Sequence, residues 1–338
     1  MIVAEHLTKS YGATRAVDDL SFTVAPGRVT GFLGPNGAGK TTTMRMILGL
    51  DMPTSGRATI NGRLYRDLPA PLTEVGALLE AKALQGGRSA RAHLEVLALS
   101  NGLPKQRAVE VLRLVGLEQV AGRRIGNFSL GMSQRLGVAA ALLGDPHTLL
   151  FDEPVNGLDP EGIQWIRQLM QGLASEGRTV LVSSHLMSEM ALTAEHLLVI
   201  GRGRLIVDAG IDEVIRAGSK QAVLVRSRDD AALAGRLEAA GAAVQPGPAG
   251  GLVVTGVESG VVGEAALTGG IVIEELTPQR VSLEEAFMEL TRGDVEFAAG
   301  ALAGVADGRA PAGWGPPPPN GSAAGTPPAR QSSPGGQA

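Results

Sequence analysis

The nine residues Gly34-Pro35-Asn36-Gly37-Ala38-Gly39-Lys40-Thr41-Thr42 constrain the fold of this chain more than any other segment. They fit the pattern G-x-x-x-x-G-K-[ST], and an apolar run, Val29–Leu33, that reads as a strand leads into them. Residues 42–49 then read as a helix. In that setting the glycines let successive backbone N–H groups turn inward around phosphate oxygens, where side chains would block the approach. The helix N-terminus adds partial positive charge. Gly34, Asn36, Gly37 and Gly39 are thus expected to cradle phosphate. Lys40 is expected to reach the β- and γ-phosphates, Thr41 to ligate Mg²⁺ and Thr42 to touch the α-phosphate. The plainer reading is a glycine-rich turn with no ligand.

A second apolar strand, at residues 148–151, ends in Asp152-Glu153-Pro154. Open α/β sheets bind ligands at the C-terminal ends of their strands, and a hydrophobic strand has no structural use for two acids there. Asp152 is expected to hold Mg²⁺ through water, and Glu153 to polarise the water that attacks phosphorus. Taken alone, such a pair is a solvated strand end; beside a phosphate loop it reads as catalytic. A third apolar run, at residues 179–183, precedes His185. Continuous apolar strands alternating with helical patterns predict a parallel sheet covered on both faces. Asp159-Pro160 reads as an N-cap and first helical position, with the helix running toward Ser175. Ser129 reads as the N-cap of a helix carrying Arg135, Val138 and Leu142.

Composition sets the outer limits. The 338 residues allow about two domains, and 44% hydrophobic residues suffice for a core. A net charge of −4 argues against a dedicated nucleic-acid binder. With no cysteine, neither disulfides nor thiolate metal sites can form. No apolar stretch reaches about 18 residues, so a membrane role has to come through a partner. Residues 1–218 carry the sheet pattern. Residues 219–292 form a smaller pattern: strands at 221–225, 252–255 and 271–275, and helices at 229–240 and 282–290. They predict a small α/β domain with an antiparallel or mixed sheet. Residues 293–338, with eight of the chain's 20 prolines after residue 310, read as a disordered Pro/Gly/Ala-rich tail.

Three further segments carry a family resemblance. Phe128-Ser129-Leu130-Gly131-Met132-Ser133-Gln134-Arg135 precedes the acidic strand. It resembles the signature motif of ATP-binding-cassette (ABC) ATPases. Asn156-Gly157-Leu158-Asp159 resembles that family's D-loop, and His185 stands where the family places its switch histidine. The resemblance covers about residues 2–218. It implies a P-loop NTPase fold of the ABC type: α/β, with a parallel-sheet core, an antiparallel β subdomain and a helical subdomain. The Ser-Leu-Gly-Met form of the signature, with the segment 282–290, is similar to the drug- and antibiotic-export branch of daunorubicin- and bacitracin-resistance type.

The resemblance assigns further residues. Tyr11 would stack on adenine, although core packing is the other reading. Glu80 stands where the family has its Q-loop glutamine; a carboxylate there can accept hydrogen bonds and approach Mg²⁺. The alternative places the true contact at Gln85. His185 would bond the γ-phosphate. Ser129, Gly131 and Asp159 would serve nucleotide at the interface with a second ATP-binding subunit, in a homodimer or a heterodimer. A separate integral-membrane permease would dock between Glu80 and the segment 90–100, keeping the chain peripheral on the cytoplasmic face of the membrane. The ligands implied are ATP and Mg²⁺, and the activity is ATP hydrolysis coupled to export. Competing readings are a non-transport ABC ATPase of DNA repair or translation, and a regulatory ATP-binding protein. Residues 44–127 hold no long heptad run or cysteine of the repair types, and only one cassette is present. Intact Glu153 and His185 argue against the regulatory protein.

Overall fold

The computed structural model describes residues 1–80, 84–218, 222–247, 250–279 and 283. The helix expected at 282–290, apart from Leu283, and the tail expected at 293–338 lie outside them. The chain opens with β1 (Ile2–Tyr11), β2 (Thr14–Val24), β3 (Val29–Leu33), α1 (Lys40–Ile47) and β4 (Ser55–Ile60). Next come α2 (Pro71–Glu74), β5 (Val75–Leu78), α3 (Ala90–Ser100), α4 (Gln106–Leu114) and α5 (Leu130–Ala141). There follow β6 (Thr148–Asp152), α6 (Pro160–Ser175), β7 (Thr179–Ser184), α7 (Met187–Thr193), β8 (His196–Gly201), β9 (Arg204–Gly210) and α8 (Ile211–Gly218). The last described elements are β10 (Ala222–Ser227), α9 (Asp230–Ala239), β11 (Ala243–Pro246), β12 (Leu252–Thr255), α10 (Ser259–Gly269) and β13 (Ile273–Gln279).

The central sheet has the order β5-β6-β7-β3-β8-β9, parallel except for the antiparallel β9. Its inner strands β3, β6 and β7 are buried along their whole length because both faces are covered, and their period of two sorts the side chains between two cores. Val29, Leu33, Leu149, Phe151, Val180, Val182, Leu197 and Val199 join the core shared with the helices. Phe32, Leu150, Leu181, Leu198 and Ile200 face the other way, toward the antiparallel sheet β2-β1-β4.

The expected caps are present. Ser129 Oγ accepts from Met132 N at 3.1 Å, and Asp159 Oδ1 accepts from Gly162 N at 2.9 Å. Some boundaries move: the helix expected at 42–49 runs over Lys40–Ile47, and the strand expected at 271–275 runs over Ile273–Gln279.

The elements β10 to β13 alternate as β-α-β-β-α-β and form an antiparallel sheet of order β11-β12-β10-β13. This is a ferredoxin-like arrangement. It has its own apolar cluster around Val225, Leu233, Leu237 and Val254. Leu283 instead packs into the core shared by the N-terminal helices. Among the described residues, no helix is long and apolar enough to cross a membrane.

Candidate active site

Parallel strands present all their C-terminal ends on one edge. Because β6, β7 and β3 are neighbours, the residues that follow them meet there. The phosphate loop follows β3, Asp152 and Glu153 end β6, and His185 follows β7. Ala16, Asn36, Gly37, Gly39, Lys40, Thr41, Thr42, Asp152 and Glu153 line a cleft of ≈ 240 Å³. Eight of the residues expected from the sequence are in that lining: Asn36, Gly37, Gly39, Lys40, Thr41, Thr42, Asp152 and Glu153.

The loop needs its glycines at two points for different reasons. Gly39 has φ 104, and a Cβ there would lie 2.6 Å from the Ala16 carbonyl oxygen. Gly34 has an ordinary φ, but its Cβ would lie 2.5 Å from the Ile200 carbonyl oxygen. Gly39→Ala is therefore expected to cost about 1–3 kcal/mol from the left-handed backbone alone. A thermal melt should show a drop of several degrees, and an unchanged melting temperature would contradict this assignment of the loop. Gly39 is also the N-cap of α1 and offers no side-chain acceptor, and no acid occupies the first turn. The first-turn N–H groups are thus available for an anion.

Lys40 is 7% exposed. Its Nζ donates to the carbonyl oxygens of Gly34, at 2.7 Å, and Pro35, at 3.4 Å, and lies 3.7 Å from Glu153 Oε1. Burial pulls the ammonium below its ordinary pKa, against the opposing pull of Glu153 and Asp152. Thr41 Oγ1 donates to Asp152 Oδ2 at 2.6 Å, and Ser183 Oγ donates to Asp152 Oδ1. The other oxygen of Glu153, Oε2, accepts from His185 Nδ1 at 2.9 Å. Glu153 itself has φ 51, a left-handed conformation costing about 1–2 kcal/mol for a residue with a Cβ.

One hydroxyl and one carboxylate facing an anion cradle suit Mg²⁺, which is commonly bound by one or two carboxylates together with substrate phosphates. Among the described residues no group of three or more His, Asp or Glu side chains could form an all-protein metal cage.

Other expected residues lie outside the cleft lining. Tyr11 ends β1, is 50% exposed, and so is not a core residue. Its hydroxyl donates to Asp51 Oδ2 at 3.0 Å, and Lys9 Nζ sits 5.0 Å from its ring centroid. Asp51 is in turn held by Arg45 Nε at 2.8 Å. Glu80 is exposed beyond β5, and its charge contributes to raising the Arg45 guanidinium. Ser129 and Asp159 are exposed helix caps. Gly131 packs against the D-loop, where its Cβ would lie 3.2 Å from the Gly157 carbonyl oxygen.

Sequence reasoning missed Ser183 and Gln134. Ser183 Oγ accepts from Glu153 N at 3.0 Å. Gln134 Nε2 donates to the carbonyl oxygens of Glu153, at 3.2 Å, and Pro154, at 2.9 Å. For Gln134 its place on an apolar helix face was a signal. Gln134 shares a helix face with buried Gly137, Val138 and Ala141, and a buried amide needs partners.

Comparison with known proteins agrees with this arrangement. Residues 17–156 match the ABC transporter family, and residues 221–284 match a domain of unknown function. The chain is 42% identical over 223 residues to the bacitracin transport ATP-binding protein BcrA of Bacillus licheniformis, covering 65% of this chain and 73% of that protein. It is 35% identical over 294 residues to the uncharacterized ABC transporter ATP-binding protein YcbN of Bacillus subtilis (strain 168), covering 85% and 96%. A solved ATP-binding subunit of an ABC transporter superposes with a TM-score of 0.59 at 28% identity, covering 64% of this chain and 92% of that one. With a nucleotide-phosphate cradle, a strand-end acid pair and relatives of this kind, the chain belongs to the family of ABC transporter ATP-binding proteins and is an ATPase.

Proposed function

We propose that this ATPase energises export of a drug, antibiotic or lipid-like molecule through a separate membrane permease. The observation that carries the catalytic part is the Glu153 carboxylate, set between Lys40 Nζ and His185 Nδ1 at the rim of the phosphate cleft. Similarity to a bacitracin transport ATP-binding protein supports the antibiotic class. The absence of a membrane-crossing helix among the described residues leaves the pathway to a partner chain.

The roles divide by geometry. Lys40 and the first-turn N–H groups of α1 bind the β- and γ-phosphates. Glu153 accepts the proton of the attacking water, and His185 orients that carboxylate and the γ-phosphate. Thr41 and Asp152 would hold Mg²⁺, whose charge would offset that of the phosphates. Tyr11 supplies a half-exposed aromatic face for adenine, held in place by Asp51. Ser129 and Gly131, with Asp159 of the D-loop, serve the nucleotide of a second subunit, so two copies close around two nucleotides. The subunit then works as a peripheral protein on the cytoplasmic face of the membrane. The separate sheet and apolar cluster of residues 222–279, with the family match at 221–284, support reading residues 219–292 as an accessory domain, with Leu283 packed on the core of the N-terminal helices.

Two measurements test this reading. Mg-ATP hydrolysis by the purified chain tests the enzyme. Co-expression with a candidate permease tests export: resistance to a peptide antibiotic should appear with the wild type and vanish with Lys40→Ala. Resistance that survives the substitution rejects the transport role. Glu80 carries a separate expectation. Glu80→Gln and Glu80→Ala should both shift the Mg²⁺ concentration that half-saturates turnover, and an unchanged Mg²⁺ profile in both removes Glu80 from the site.

A further inference from the structure

Glu153 adopts a backbone conformation that its residue type disfavours, so something must hold it there. Two side chains do. Ser183 Oγ accepts from its N–H at 3.0 Å, and Gln134 Nε2 donates to its carbonyl oxygen at 3.2 Å. The peptide groups on both sides of its Cα are thereby tied, which fixes φ and ψ together. The Gln134 amide carries two N–H bonds and spends the second on the Pro154 carbonyl oxygen at 2.9 Å. Gln134 is 4% exposed, so water cannot replace it.

We propose that Gln134 is a positioning residue for ATP hydrolysis. It holds Glu153 in the left-handed conformation that brings the carboxylate to Lys40 and His185. The inference rests on the reading of Glu153 as the group that accepts the water's proton. Gln134 does not touch that carboxylate; it acts through the backbone. It lies on α5, the helix capped by Ser129, and five residues along a helix span about 7.5 Å. That helix is seated tightly: a Cβ on Gly137 would lie 2.5 Å from Leu78 Cδ1. The anchor of Glu153 is thus a well-packed element rather than a loop. Relaxation of Glu153 to the ordinary right-handed or extended regions would turn its side chain away from both partners without changing the residues that bind phosphate.

Gln134→Met in the full chain keeps the side-chain length and removes both donors. The expected result is at least a tenfold fall in kcat, with affinity for a non-hydrolysable ATP analogue within threefold of wild type. If that variant does not fold, Gln134→Leu carries the same test, since its side chain also lacks any donor. A kcat within twofold of wild type overturns the proposal. So does a fall in kcat matched by an equal loss of analogue affinity, which is the mark of a packing role. Lys40→Ala serves as the control for the site itself. If it leaves both analogue affinity and turnover intact, the reading of the phosphate loop fails. If it abolishes affinity while Gln134→Met turns over normally, only the inference about Gln134 fails.

Discussion

Glu153→Gln is expected to bind Mg-ATP normally and to lose about 10²- to 10⁴-fold in turnover, the range that a positioned general base contributes. The substitution is nearly isosteric. A glutamine oxygen can still accept from His185 Nδ1, and the backbone ties to Ser183 and Gln134 do not involve the side chain. What disappears is the carboxylate that takes a proton from water. The 3.7 Å ion pair with Lys40 also disappears, which leaves that ammonium freer to meet phosphate. If two copies close around nucleotide and separate after hydrolysis, the variant should accumulate as a dimer in Mg-ATP. Size-exclusion chromatography with Mg-ATP reads the association, and phosphate release reads the chemistry. A strictly monomeric variant would count against the two-subunit site, and wild-type turnover would remove Glu153 from the reaction.

Local signals carried most of the site. The phosphate loop, the acid pair and the two helix caps each depend on residues within a few positions of one another, so their spacing exposes them. The central sheet was legible for a different reason. Burial on both faces turns β3, β6 and β7 into unbroken apolar runs, which stand out against amphipathic helices. What escaped depends on chain pairing. Gln134 meets Glu153 across 19 residues and Ser183 meets it across 30, and no spacing rule links such positions. In the ferredoxin-like region, β11 has only four residues and ends in Pro246, too short for alternation to register. Helix α10 is interrupted by Gly260 and Gly263 and lacks a side-chain cap, so neither propensity nor punctuation marked it.

Lys40→Ala should act on binding rather than on the chemical step. The Lys40 ammonium is buried at a cost, and burial outweighs the neighbouring carboxylates in setting its pKa, which is lowered. Folded Lys40 therefore releases its proton more readily than in the unfolded chain, so this group favours the folded state more as pH rises through the interval between its lowered and ordinary values. Below that interval the ammonium is a charged group partly deprived of water and compensated by two carbonyls and Glu153. A bound triphosphate supplies the missing counter-charge. Removing the side chain should cost little stability without nucleotide, but it forfeits charge-assisted hydrogen bonds of about 1.5–3 kcal/mol each. Two such bonds lost correspond to roughly a 10²- to 10⁴-fold rise in Kd for ATP, since each 1.4 kcal/mol is tenfold. Calorimetric titration with ATP measures this directly, and the added stability that ATP confers on the wild-type melting temperature should vanish in the variant. Retained affinity with lost turnover would move Lys40 from ground-state binding to the transition state, and the division of labour between Lys40 and Glu153 would have to be redrawn.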